Sequence, residues 1–493
     1  MKLSTIACGL LLLVNGALSG CQDFEELEVN PNQPTNVPPS LVVNGVLNAM
    51  YEGAWNEVMR WNQFYALNYN YYGNQEYTWT ATGLRYTTLK DVTRMELEAA
   101  RTGLPTPNQY SAMGKFFRAY YYVQMTQRVG DLPLTEAVQG LANLTPIYDS
   151  QKAVYLQCLT WLDEANTELA ALAAVPGTRL EGDIYFNGDL VKWQRTVNTF
   201  KLRVLISLSK KAADPDLRVP QRFAEMLADP TRFPVMTGMS DNLQYVYNTS
   251  FNKYPRNPDN FGNNATRENM AATYLNKLVE LRDPRTFVVA EPAAARLATG
   301  LSATDYAAYV GASSGEDLAE MSTKALRGEY SFSNRQRYAS TYTGEPTFII
   351  GYPELCFNIA EGLHRGWATG NANTYYQQGI TASMGFYGIT NVTDYLAQPA
   401  VTYANNPAGL EKILQQKYLA FFQNSGWEAF YNQRRTGVPT FLTGPGTGNS
   451  GRIPRRWQYP TNERTTNAAN YQDAVQRQFE GQDDINRDLW LLQ

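Results

Sequence analysis

Residues 346–388 read PTFIIGYPELCFNIAEGLHRGWATGNANTYYQQGITASMGFYG and contain two amphipathic helical patterns in succession. The first pattern begins near Pro353 and stops at Gly366, and the second stops at Gly385. The apolar residues at helical spacing are Leu355, Cys356, Ile359, Ala360 and Leu363 in the first pattern, and Ala372, Tyr376, Ile380 and Met384 in the second. Two such helices joined by a tight turn over about 34 residues are typical of a tetratricopeptide-type unit.

One helical pair cannot bury both of its apolar stripes, so similar helices should recur along the chain. Helical spacing also occurs at 41–67, 110–128, 149–174, 189–208, 223–227 and 410–422. Three long segments (69–86, 240–268 and 328–346) lack this spacing but are too rich in aromatic residues to be disordered. The predicted fold class is therefore all-α, an irregular array of tetratricopeptide-like helical pairs with long loops packed over it.

The composition excludes some partners. The chain has 493 residues, a formal net charge of −4, 18% charged residues and 13% aromatic residues. Nucleic acid is a poor candidate, because no basic field is present to displace counterions from phosphates.

The first 21 residues, MKLSTIACGLLLLVNGALSGC, are typical of an export signal, with Lys2 before a short apolar run. The run is too short for a permanent membrane span. Leu18-Ser19-Gly20-Cys21 is similar to a bacterial lipobox; the alternative is an ordinary cleaved signal with an incidental cysteine. We expect a lipoprotein signal peptide at 1–20, lipid attachment at Cys21, a proline-rich tether at 21–40 and the helical body at 41–493.

Two other cysteines, Cys158 and Cys356, fall on apolar helical stripes. A disulfide is permitted outside the cytoplasm. We nevertheless expect two buried free thiols in separate helices, because neither cysteine belongs to a loop-rich cysteine framework.

The loop at 69–86 combines flat aromatic rings with neutral amides, which is what a sugar site requires. Sugar hydroxyls need hydrogen-bond partners, whereas the C–H faces of a pyranose are apolar. The first candidates for ligand contact are Tyr71, Tyr72, Asn74, Gln75, Tyr77 and Trp79. Tyr330, Tyr338 and Tyr342 are second candidates by the same reasoning. The alternative is that these rings only fix the loops onto the helices.

Five stretches in order along the chain resemble the SusD/RagB family of outer-membrane lipoproteins, in its SusD-like nutrient-binding branch. They are Asn30-Pro31-Asn32-Gln33-Pro34-Thr35; Gly130-Asp131-Leu132-Pro133 with Glu136-Ala137; Gly188-Asp189-Leu190 with Trp193, Asn198 and Lys201-Leu202-Arg203; Arg282-Asp283-Pro284-Arg285; and Gln416-Lys417-Tyr418-Leu419-Ala420 with Arg434-Arg435-Thr436-Gly437-Val438-Pro439, Arg452-Ile453-Pro454-Arg455-Arg456, Tyr459-Pro460 and Glu463.

The resemblance implies a lipid-anchored protein of the outer membrane, facing the cell exterior, whose long loops hold the ligand. It further implies a partner, a SusC-like TonB-dependent transporter, to which captured oligosaccharide is delivered without catalysis. Two alternatives stay open: peptide as the cargo, or a structural or assembly subunit that carries no cargo.

No residues suggest catalysis, a metal or a cofactor. A hydrolase would need two facing carboxylates. Glu354 suits a first-turn charge and Glu361 a solvated helix face. The single histidine, His364, should cap the carbonyl end of its helix. Arg434 and Arg435 should pair with nearby acids at a helix end.

Overall fold

The computed structural model describes residues 36–260 and 266–493. The predicted signal peptide, Cys21 and most of the tether lie outside the described residues. The helices are α1 (Pro39–Asn48), α2 (Glu57–Trp61), α3 (Tyr86–Arg101), α4 (Gln109–Val129), α5 (Gln151–Ala173), α6 (Leu190–Ser207), α7 (Val219–Ala228), α8 (Ala272–Glu280), α9 (Thr286–Val289), α10 (Ala294–Ala298), α11 (Leu318–Leu326), α12 (Arg335–Ala339), α13 (Tyr352–His364), α14 (Ala372–Phe386), α15 (Thr393–Leu396), α16 (Pro407–Ala420), α17 (Glu428–Thr436), α18 (Glu463–Thr466) and α19 (Ala468–Phe479).

The long helices pack against one another, as the apolar spacing predicts. Helix α4 packs on α5 and α5 on α6, while α13 packs on both α14 and α16. Polar side chains fix where these helices begin: Asn108 accepts hydrogen bonds from the first turn of α4, and Asp189 does so for α6. The prediction of an all-α array of helical pairs is confirmed.

Four short strands connect the irregular segments to the helical body. β1 (Tyr65–Leu67) pairs antiparallel with β3 (Glu268–Met270), and β2 (Leu243–Tyr245) pairs antiparallel with β4 (Thr347–Ile350). The helical pattern predicted for 41–67 is wrong at its C-terminal end, because residues 65–67 form β1. Backbone pairing with a strand distant in sequence overrides the local spacing there.

Aromatic side chains fill much of the core. One contiguous cluster of buried apolar residues extends from Val43 to Leu492. Cys158 and Cys356 lie buried as free thiols, as predicted. Among the described helices, none is both long and apolar enough to cross a bilayer.

Glu361 is a correction to the sequence analysis, because it is fully buried rather than solvated. Its carboxylate accepts hydrogen bonds from Arg435 at 2.5 Å and Arg365 at 2.8 Å. Burial alone would raise the pKa of Glu361, but Arg435, Lys417 and Arg365 outweigh burial and lower the pKa to about 2. Helices α6, α14 and α16 all pack on α13, so this helix has no solvated face at Glu361. The acidic partner predicted for Arg435 is confirmed, whereas the one predicted for Arg434 is wrong: Arg434 donates to the carbonyl of Arg455 and to the side-chain oxygen of Gln127.

His364 is a second correction. Its Nδ1 lies 2.8 Å from the hydroxyl oxygen of Tyr403, so its ring does not cap α13. Backbone N–H groups of Gly366 and Trp367 instead donate to the carbonyls of Leu363 and Gly362. Gly366 has φ +74°, and this left-handed conformation makes the backbone cap possible.

Candidate functional site

The irregular loop 69–85 lies beside helix α2, and together they border an open cleft. The volume of the cleft is about 740 Å³, which is within the range of small-molecule sites. The turn after α1 contributes Tyr51 and Glu52, and two segments distant in sequence contribute Trp427 and Trp457. We call this hollow the tryptophan cleft.

Four tryptophan rings form the floor of the tryptophan cleft. Trp79 and Trp457 are stacked with centroids 3.9 Å apart and planes inclined by 7°. Trp61 is stacked on Trp427, with ring centroids 5.6 Å apart and planes inclined by 21°. The two pairs meet edge to face. The ring plane of Trp79 is inclined by 78° to that of Trp61, and the ring plane of Trp457 is inclined by 88° to that of Trp427. Both stacked and edge-to-face contacts are favourable for aromatic rings, so the four rings form an ordered cluster. Trp79, Trp427 and Trp457 are buried within it, at 6 to 8% exposure, and Trp61 is the member whose ring is partly exposed to the cleft.

Backbone and side-chain hydrogen bonds hold these rings in place. Asn56 caps the N-terminus of helix α2, because its side chain accepts hydrogen bonds from the N–H groups of Val58 and Met59. Trp61 at the end of α2 donates its Nε1–H to the carbonyl oxygen of Glu76 at 3.2 Å. The backbone N–H of Trp457 donates to the carbonyl oxygen of Arg128 at 2.9 Å. The cleft is therefore assembled from segments that the fold brings together.

Arg128 supports the floor from the end of α4. Its guanidinium carbon lies 5.9 Å from the ring centroid of Trp427 and 5.9 Å from that of Trp457. Its Nη2 lies 3.4 Å from a carboxylate oxygen of Glu52. Burial would lower the pKa of Arg128, but Tyr431 and Glu52 outweigh burial and raise it, so the cation persists.

Two predicted site residues line the tryptophan cleft. Trp79 belongs to its floor, and Asn74 belongs to its wall. The Oδ1 atom of Asn74 accepts the N–H of Glu76 at 3.0 Å, which turns the loop at this point. Thr78 and Thr80 flank Trp79 with exposed side chains and add hydroxyl groups to the same wall.

The other predicted residues of the loop divide into two groups. Tyr71 is 83% exposed and Tyr72 36% exposed, and their rings meet edge to face at 5.1 Å outside the lining of the cleft. Gln75 and Tyr77 are buried. Gln75 accepts from the N–H of Leu67 and donates to its carbonyl, while the Tyr77 hydroxyl donates to the carbonyl of Trp61. The two buried residues thus support the loop, and ligand contact by the two exposed tyrosines stays a prediction.

The three second candidates do not line the tryptophan cleft. Tyr338 is buried, with its ring edge to face against Trp55. The Tyr330 hydroxyl donates to Glu316 at 2.5 Å, and the Tyr342 hydroxyl donates to Asp259 at 2.8 Å. The structure therefore does not bring these three rings together with Trp79.

The charges of the cleft lining balance. Three carboxylates and three guanidiniums line it, namely Glu52, Glu57, Glu76, Arg60, Arg85 and Arg128. Arg128 pairs with Glu52, whereas the other four make no ion pair within the described part of the chain. The remaining polar lining consists of neutral amide and hydroxyl groups such as those of Asn56, Asn74 and Thr78. Such a lining has no net preference for an anionic or a cationic ligand.

The sequence analysis missed Trp61, Trp427, Trp457 and Arg128. Trp61 lies in a stretch read only as helix, and the two later tryptophans are far from the loop along the chain. A usable signal was the tryptophan count, because four of the nine tryptophans in the chain gather at this cleft. Over residues 36–260 and 266–493, no group of three or more His, Cys, Asp or Glu side chains is placed to hold a metal ion.

Comparisons with known proteins agree with the helical fold. A family model, SusD-like, described as "Starch-binding associating with outer membrane", matches residues 31–460. An outer-membrane protein of Bacteroides vulgatus, whose name links it to nutrient binding, is 31% identical with a TM-score of 0.82, and the match covers 93% of this chain and 100% of that one. A SusD homologue of Bacteroides fragilis is 30% identical with a TM-score of 0.83, over 93% and 100% of the two chains.

A more distant similarity extends to a chitin-binding SusD homologue of Flavobacterium johnsoniae. It is 19% identical with a TM-score of 0.72, over 92% of this chain and 98% of that one. This similarity bears on the fold alone. A search of curated proteins gave no match.

Proposed function

This chain belongs to the SusD-like family described as starch-binding and associating with the outer membrane, and from that membership we propose that it captures neutral oligosaccharides in the tryptophan cleft. The observation that carries the proposal is the floor of four tryptophan rings beneath a wall of neutral amides and hydroxyls. The nutrient would be bound and passed on, not cleaved.

The geometry suits a sugar because the two surfaces of a pyranose have different needs. Its C–H faces gain free energy by packing on aromatic rings, and the partly exposed ring of Trp61 is available for this contact. Its hydroxyls need donors and acceptors, which Asn74, Thr78 and Thr80 supply on the wall. The balanced charges of the lining favour a neutral glycan over a strongly charged one.

Delivery is the second part of the proposal. We infer that Cys21 carries the lipid that holds the protein at the outer membrane and that a SusC-like TonB-dependent transporter receives the glycan. The family description supports the outer-membrane location, and the lipobox supports the anchor. Metabolic labelling with a fatty-acid analogue should mark the wild-type protein and not a Cys21→Ala variant. Labelling of that variant would contradict the proposed anchor.

Binding without conversion is tested by affinity electrophoresis in gels that contain soluble starch, glycol chitin or another neutral polysaccharide. We expect at least one of these polymers to retard the protein, while bovine serum albumin migrates unchanged. Chromatography of the same polymer after incubation should show no shorter products. Unretarded migration in every gel would contradict neutral glycan binding, and released oligosaccharides would contradict a purely binding role.

A further inference from the structure

A second hollow lies next to the tryptophan cleft, on the other side of the wall that Asn74 and Glu76 form. Its volume is about 540 Å³, which is again in the range of small-molecule sites. Asn74 and Glu76 line both hollows. Loop residues from Asn68 to Asn70, the first turn of α11 and the turn at Pro445 and Gly446 complete the lining. We call this the outer hollow.

The outer hollow offers an aromatic ring, amides and a hydroxyl, as the tryptophan cleft does, but its described lining contains the carboxylates of Glu76 and Asp317 and no cation. Tyr69 presents a ring that is 46% exposed, and Arg267 holds it in place with a guanidinium 4.5 Å from the ring centroid. Asn70 adds an exposed amide and Ser322 a hydroxyl. The carboxylate of Asp317 is already engaged, because it accepts the N–H groups of Ala319 and Glu320 at the start of α11. The hollow is therefore a polar and aromatic surface rather than an anion site.

Backbone contacts give the outer hollow a fixed shape. The N–H of Tyr77 donates to the carbonyl of Thr447 at 2.8 Å, which joins the loop to the turn at Pro445 and Gly446. The N–H of Gly446 donates to the carbonyl of Gly315 at 3.2 Å, which joins the same turn to the segment before α11. A Cβ atom on Gly446 would overlap the carbonyl oxygen of Glu316, so only glycine permits this approach. A preformed hollow binds a ligand with little ordering cost.

The dividing wall carries polar groups that have no partner in the described residues. The Oδ1 of Asn74 is used by the N–H of Glu76, which leaves the Nδ2 donors of Asn74 free. The carboxylate of Glu76 makes neither a hydrogen bond nor an ion pair within the same described residues. A hydrogen-bond donor and an acceptor thus lie between the two hollows.

We propose that the outer hollow is a second subsite for the same glycan chain, which crosses the wall between Asn74 and Glu76. This inference rests on the proposed function, since it assigns further residues of the bound oligosaccharide to the outer hollow. Linking two subsites makes the second contact intramolecular, so affinity should rise with the length of the glycan. Short glycans should occupy the tryptophan cleft alone.

The test is calorimetry on the intact protein with maltooligosaccharides and chitooligosaccharides, each from the disaccharide to the heptasaccharide. For the oligosaccharide series that binds, we expect the affinity of the protein to increase by about tenfold or more from the short to the long members. This increase corresponds to about 1.4 kcal/mol. Ala319→Arg places a long side chain in the outer hollow from an exposed position. This variant should abolish the increase of affinity with glycan length. It should leave the affinity for the shortest binding glycan within about twofold of wild type.

The matched control is Thr323→Arg, which adds the same side chain to an exposed position of α11 outside the lining of the outer hollow. It should behave as wild type for every length, and circular dichroism should show that both variants fold. Affinity that does not depend on length, or a long-glycan affinity that Ala319→Arg leaves unchanged, would overturn the second subsite while short-glycan binding still supports the proposed function. If neither series binds, the series is instead prepared from whichever polysaccharide retards the protein in the gels, and failure of that series or of every gel would contradict the proposed function.

Discussion

Trp79 and Trp457 lie face to face, with ring centroids 3.9 Å apart and planes inclined by 7°, although one belongs to an N-terminal loop and the other to the C-terminal part of the chain. This contact joins the irregular loop 69–85 to the helical body. Because Trp61 and Trp427 pack edge to face against this pair, substitutions at these rings should have non-additive effects on stability.

Arg128 should control the order of the tryptophan floor, because its cation faces Trp427 and Trp457 while Glu52 neutralises it. We expect Arg128→Met to lower the free energy of unfolding by about 1 to 3 kcal/mol, since the carboxylate of Glu52 loses its partner. Near-ultraviolet circular dichroism should change in the tryptophan region. The double variant Glu52→Gln with Arg128→Met should be more stable than Arg128→Met alone. If the double variant and Arg128→Met are equally destabilised, the loss of stability does not come from leaving Glu52 without its partner.

Glu361 should make the protein sensitive to acid. Its pKa is lowered to about 2 in the folded protein, against about 4.3 when unfolded, so its contribution is present above pH 4.3 and is lost as the pH falls towards 2. Glu361→Gln should lower the free energy of unfolding by about 3 to 5 kcal/mol near neutral pH, and the deficit should shrink as the medium is acidified. Urea denaturation at a series of pH values measures both effects.

The control for Glu361 is Glu164→Gln, because Glu164 forms a surface ion pair with Lys115 at 3.1 Å. Its effect on the free energy of unfolding should stay below about 1 kcal/mol. A deficit of Glu361→Gln that does not change with pH would show that charge on Glu361 is not what stabilises the fold.

Glu345 should have the opposite dependence on pH. Burial raises its pKa to about 7, although Arg337 opposes this, and the unfolded value is about 4.3. The contribution of Glu345 to stability is therefore full below pH 4.3 and is lost as the pH rises through 7. Glu345→Gln remains neutral, so its stability relative to wild type should increase between acidic and mildly alkaline pH. Thermal unfolding should show this trend, whereas the exposed variant Glu320→Gln should not. A difference in stability between Glu345→Gln and wild type that stays constant across this pH range would contradict the prediction.

The two described thiols should be inert in the folded protein. Burial raises the pKa of Cys158 and of Cys356, the latter to about 12, so neither forms the reactive thiolate at pH 8. Iodoacetamide followed by peptide mass mapping should find both residues unmodified in the native protein and alkylated in denaturant. Alkylation under native conditions, or a peptide pair linked by a disulfide, would refute this prediction.

The helical body could be predicted because its signals are local. Apolar spacing and stopping glycines are sufficient to mark α13 and α14 within one stretch of sequence. The strand at 65–67 could not be predicted in this way, because its partner β3 is far along the chain. Glu361 was misjudged for a related reason, since its environment is set by three helices packed around α13.

The candidate site was predictable only in part. Trp79 and Asn74 stood out because aromatic and amide side chains are dense in one loop. Gln75 and Tyr77 are also an amide and an aromatic residue of this loop, but their side chains form hydrogen bonds with backbone groups of Leu67 and Trp61. The sequence does not distinguish these two uses. It also does not show that Trp427 and Trp457 complete the floor, because tertiary packing alone brings them there.

The most direct test of the account is the affinity of Trp61→Ala for the oligosaccharide that binds best, measured by calorimetry beside wild type. Trp61 is the partly exposed ring of the floor, and we expect its loss to weaken binding by about tenfold or more while the fold is retained. The matched control is Trp367→Ala, since Trp367 is also partly buried but packs against Phe223 outside the cleft. Unchanged affinity in Trp61→Ala, or an equal loss in both variants, would contradict sugar capture on the tryptophan floor.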